Sequence, residues 1–106
     1  MIKQYTNQDP VEIKKDYAET LAELITFCNK YNVKISKVMF VLDGFQVLFD
    51  GVEGDAVIHD CSYGHNNKMW ETYKFPWDCG DVSVISSEML VKRIKAIWDG
   101  KNWEEV

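Results

Sequence analysis

The chain has 106 residues, 46% of them hydrophobic, and a formal net charge of −5. That is enough chain for one hydrophobic core and too little for two, so a single domain over residues 1–106 is expected. The missing basic excess argues against direct nucleic-acid binding. No apolar run of about 18 residues is present to cross a membrane, and MIKQYTNQDP lacks the apolar core of a secretory signal, so the expectation is a cytoplasmic protein.

Asp9-Pro10-Val11-Glu12 has the composition of a helix start: Asp9 can cap, Pro10 suits the first helical position and Glu12 supplies a capping-box carboxylate. Ile13, Tyr17, Leu21, Leu24, Cys28 and Tyr31 then recur at steps of three and four. With Ala18 and Ile25 widening the stripe, this predicts an amphipathic helix over about 10–31. Cys28 falls on its apolar side.

Residues 33–49, VKISKVMFVLDGFQVLF, carry Asp43-Gly44 between two apolar runs. This reads as two strands, about 33–42 and 45–50, joined by a type I′ turn centred on Asp43-Gly44. That register sets Leu42 opposite Phe45, Phe40 opposite Val47 and Val38 opposite Phe49, all on one face. Met39, Val41, Gln46 and Leu48 lie on the reverse face.

A second turn, Asp50-Gly-Val-Glu53-Gly-Asp55, leads to a third strand over about 55–63. Ala56 and Ile58 join the aromatic face, and Val57, His59, Cys61 and Tyr63 point the other way. A fourth strand is expected over about 68–75, a fifth over 81–85, and a second helix over about 87–99 with Leu90, Val91, Ile94, Ile97 and Trp98 on its apolar side. The predicted fold class is therefore α+β: an antiparallel meander of four to five strands flanked by a long N-terminal helix and a C-terminal helix.

His59, Cys61, His65 and Cys79 are the residue types of a metal or thiol site. Tight Cys-x2-4-Cys spacing is absent, so a strand face and a turn explain them better, and no metal or cofactor is expected. A Cys61 nucleophile would need a base, a residue to orient it and an oxyanion site, for which no motif is visible. The acidic turn at 50–55 lacks the alternating ligands of a calcium loop.

Between Val38 and Asn67 there is no Lys or Arg, while Asp43, Asp50, Glu53, Asp55 and Asp60 all lie there. Aromatics concentrate just beyond, at Tyr63, Trp70, Tyr73, Phe75 and Trp77. Acids beside aromatics suit a non-catalytic module, of the inhibitor or immunity type, that docks on a basic, nucleic-acid-handling protein. The expected contact residues are Tyr63, Trp70, Tyr73, Trp77, Asp50, Glu53 and Asp55, with Trp77 as the exposed anchor. The alternatives are a metal- or thiol-dependent protein and a homo-oligomer, a homodimer for example, that pairs Met39, Val41, Leu48, Val57 and Tyr63 with their own copies.

Overall fold

The structure is a computed structural model and describes residues 14–106. Its order is α1 (Lys15–Tyr31), β1 (Ile35–Val41), β2 (Gly44–Phe49), β3 (Asp55–Ile58), β4 (Trp70–Tyr73), β5 (Ser83–Ile85) and α2 (Ser87–Trp98), with short 3₁₀ turns at His65–Asn67 and Trp103–Glu105. The strands form one antiparallel sheet in chain order, β1-β2-β3-β4-β5. This is the expected α+β meander.

Lys14 is extended, so α1 starts at Lys15 rather than near residue 10. The expected capping residues Asp9, Pro10 and Glu12 lie outside the described residues. Tyr17, Thr20, Leu24 and Cys28 are the buried residues of α1, and Ile25 and Ala18 are exposed. The stripe is widened on its Thr20 and Phe27 side instead, because the helix must face α2 as well as the sheet. Both helices end in the same way. Asn32 and Gly100 take left-handed conformations, and the next residues, Val33 and Lys101, return their N–H groups to Cys28 O (2.9 Å) and Ala96 O (2.8 Å). The Ser86 hydroxyl caps α2 by accepting from Met89 N.

The first hairpin differs from expectation by one residue at its turn. Leu42 and Asp43 hold the positive φ values, 45° and 64°, so they are the centre of the type I′ turn and Val41 pairs with Gly44. Phe40 then meets Phe45 and Val38 meets Val47, which keeps the paired residues on their expected faces, while Leu42, expected opposite Phe45 on the apolar face, lies exposed in the turn. Gly44 serves a different purpose. A Cβ there would lie 1.9 Å from Ile58 O, so the glycine is required where the β3 backbone passes. A bulge between Ile35 and Lys37 offsets the far end of the hairpin.

The core lies between one sheet face and both helices. Phe45, Val47, Phe49, Ala56, Ile58, Trp70 and Ile85 pack against Tyr17, Leu24 and Cys28 of α1 and Leu90, Val91 and Ile94 of α2. Trp70 is fully buried, so it belongs to the core and not to a contact surface. The outer strands are shorter than the sequence suggests. β3 stops at Ile58 because the chain bends at His59, and β4 stops at Tyr73 because Lys74 turns to φ 68°. That turn brings Phe75 back into the core.

Candidate functional site

With both helices on one face, strand alternation puts a second set of side chains on the other. Pairing aligns Met39, Gln46, Val57, Glu71 and Val84 in one row across all five strands, and Lys37, Leu48, Asp55 and Tyr73 in the next. Val57 is buried within this layer, and Met39, Leu48, Gln46, Asp55 and Glu71 are half-buried. Tyr73 is 49% exposed and Val84 44%.

Two carboxylates sit among these apolar groups. Gln46 donates its amide to Asp55, and Glu71 accepts the backbone N–H of Tyr63 over 2.9 Å. The second bond moors the turn that follows β3 against β4, and Tyr63 is itself 66% exposed. Burial raises the Asp55 pKa above the ordinary carboxylate range, opposed by the Gln46 hydrogen bond and reinforced by the charge of Glu71. The ion pairs among the described residues join Lys14 to Asp60, Lys15 and Lys68 to Glu19, and Lys95 to Asp99. None of them reaches Asp55 or Glu71.

The other acids of the basic-free stretch are divided between the two ends of the meander. Asp60 lies at the end of the Leu42–Asp43 turn, where Lys14 pairs with it at 2.8 Å and Tyr17 donates its hydroxyl at 2.9 Å. The Lys14 hydrogen bond holds the Asp60 pKa below its usual value, and burial together with Asp60 pushes the Tyr17 hydroxyl up to about 12. Asp50 and Glu53 are exposed in the loop at the opposite end.

The same geometry separates the four metal-type residues. His59 is buried, and its Nδ1 accepts from Cys61 N at 3.1 Å, while the Cys61 side chain is exposed. His65 Nδ1 donates to Ser62 O at 2.6 Å in the next turn. Cys79 is exposed in the loop between β4 and β5, at the other end of β4 from His65. No group of three His, Cys, Asp or Glu side chains among the described residues is placed to hold a metal ion.

Trp77 is half-buried rather than the exposed anchor expected. Its ring stacks on Phe75 with centroids 4.7 Å apart, meets Trp103 edge to face at 5.6 Å, and its Nε1 donates to Thr72 Oγ1 at 3.0 Å. β4 ends at Tyr73, before the Pro76 that was expected to end it, and the loop folds inward because buried Asp78 accepts from Thr72 Oγ1 and Phe75 N. Of the expected contact residues, Asp55 and Tyr73 pair across β3 and β4, Tyr63 is tied by its backbone N–H to neighbouring Glu71, Asp50 and Glu53 are exposed in the loop between β2 and β3, and Trp70 and Trp77 are packing residues. Glu71 and Val84 were not anticipated. The parity of β4 and β5 relative to Trp70 would have found them.

No helix among the described residues is long and apolar enough to cross a membrane. Comparison with protein-family models, curated proteins and solved structures returns no match.

Proposed function

We propose that this chain is a non-catalytic binding module that docks a protein with a basic surface through the sheet face opposite the helices. The observation that carries this reading is the pairing of exposed Tyr63, Tyr73 and Val84 with Asp55 and Glu71, two carboxylates outside every ion pair of the described residues. Rigid aromatic rings supply contact area at low entropic cost, and unopposed carboxylates favour a cationic partner over other proteins. Nucleic-acid-handling proteins present such cationic surfaces, so an inhibitor or immunity-type role fits the net charge of −5. The exposed thiols of Cys61 and Cys79 suit a reducing compartment, in keeping with a cytoplasmic location. Self-pairing through this face is the weaker reading, since it would bring two sets of carboxylates into one interface.

The test is capture of partners by the native chain, by Tyr73→Ala and by Glu71→Lys, each at about 0.05 M and about 0.5 M salt. The same basic proteins should be retained by the native chain at low salt and lost with either variant. Retention indifferent to salt and to both substitutions would refute the reading.

A further inference from the structure

The Trp77 surface carries a second, separate contact. Arg93 of α2 places its guanidinium carbon 5.3 Å from the ring centroids of both Trp77 and Trp103. Trp103 belongs to the short segment Lys101–Val106, which follows the left-handed Gly100 and turns back onto α2. No atom lies within 4 Å of where a Gly100 Cβ would be, so the hinge itself is unpacked. One cation–π contact, from Arg93 to Trp103, one edge-to-face ring contact, from Trp77 to Trp103, and the Lys101 N–H bond to Ala96 O hold the segment, and no ion pair does so among the described residues.

The segment satisfies the site only in part. Arg93 Nε is buried and has no hydrogen-bond partner, although Glu104 and Glu105 are close in sequence to Trp103 and exposed. A buried guanidinium N–H without an acceptor is costly, and carboxylate is its usual partner. The aromatic half of the site is thus filled while the cationic half is left without an acceptor.

We infer that Trp77 and Arg93 form a recognition site for a partner-protein segment bearing an aromatic residue followed by carboxylates, and that residues 101–106 occupy it as a built-in pseudo-ligand. The aromatic part of the occupant is read from Trp103, already seated there, and the carboxylate from the buried Arg93 Nε, which no acceptor reaches. A better ligand keeps the ring contact and brings a carboxylate onto Arg93. Release pivots at Gly100 and leaves the Phe75–Trp77 stack and the Thr72 bond in place.

The Trp103→Ala variant of the 106-residue chain tests this with a synthetic peptide DGKNWEEV, the sequence of residues 99–106, as the probe. The variant should bind the peptide saturably and at least about tenfold more tightly than the native chain, whose own segment competes at high effective concentration. Adding Arg93→Gln, or replacing both peptide glutamates by glutamine, should weaken binding several-fold. Equal binding by native and Trp103→Ala chains, or indifference to Arg93 and the glutamates, overturns the inference. Native-state hydrogen exchange supplies a check on the unaltered protein: the Lys101 amide, bonded to Ala96 O, should exchange at least about a hundredfold faster than that of Ile94. Equal rates would mean that the segment is not separable, and the inference falls.

Discussion

Trp70 gives its indole N–H to Ser87 Oγ across 2.8 Å, with both side chains fully buried. The Ser87 hydroxyl in turn donates toward Thr20 O at 3.5 Å, so one short chain of polar groups ties β4 to α2 and α2 to α1. Ser87→Ala would strand the indole N–H in an apolar site. The expected loss is about 1–3 kcal/mol, read as a lower urea midpoint with an unchanged slope.

Gly44 and Leu42 should respond in opposite directions. Gly44→Ala pushes a methyl group into Ile58 O and must separate β2 from β3, so a loss of more than about 3 kcal/mol is expected in denaturant unfolding. Leu42 is 44% exposed and held at φ 45°, a region costly for a branched side chain. Leu42→Asn should be stabilising by about 0.5–1 kcal/mol. A loss on Leu42→Asn would mean that the turn is centred elsewhere.

Burial of the Tyr17 hydroxyl, with its bond to Asp60, gives the protein an alkaline limit. A hydroxyl whose pKa is raised to about 12 stays protonated in the folded chain while that of the unfolded chain ionises near the ordinary tyrosine value of about 10. Stability from this group is present below pH 10 and is lost as pH rises toward 12, by at most about 2–3 kcal/mol. Tyr17→Phe should be less stable at neutral pH and should flatten that alkaline decline, as followed by thermal melts between pH 8 and 12.

Asp55 should separate stability from binding. Its folded pKa is raised, chiefly by burial, so its ionised form is a net cost to the fold at neutral pH, a cost that is relieved as pH falls through the raised value. Asp55→Asn is therefore expected to leave thermal stability at pH 7 unchanged or slightly higher while weakening capture of the basic partner. A stability loss above about 1 kcal/mol would assign Asp55 a structural role instead.

The two exposed tyrosines and Trp77 make a matching contrast. Trp77→Ala should cost about 2–4 kcal/mol, because it removes the Phe75 stack, the Thr72 bond and the Arg93 contact together. Tyr63→Ala, at a site 66% exposed, should stay within about 0.5 kcal/mol of the native chain in the same melt.

Alternation and turn chemistry made the sheet faces legible from the sequence. Phe45, Val47, Phe49, Ala56 and Ile58 all fall on the side expected of them, because a two-residue period survives a displaced turn. The turn lies one residue before Asp43-Gly44, and a glycine needed for close strand approach looks the same in sequence as one needed for positive φ. The third strand ends at Ile58 although His59 and Cys61 continue the alternation of Val57 and Ile58 in the sequence. The bend at His59 depends on local bonds, Ser62 Oγ accepting from His59 N and His59 Nδ1 accepting from Cys61 N, which no periodicity reports. A residue after proline in a loop looks solvent-facing, and only the fold shows the partners that reach back to Trp77 from α2 and Trp103.

Every strand of the meander pairs with its neighbour in sequence, so the sheet can form by closing one short loop after another. The seam between α1 and α2 is different: Thr20 and Ser87 are 67 residues apart and must wait for the intervening chain. The sheet is then the early, fast part of folding and helix docking the late step. Substitutions at the helix seam should mainly accelerate unfolding, whereas those in the first hairpin should slow folding.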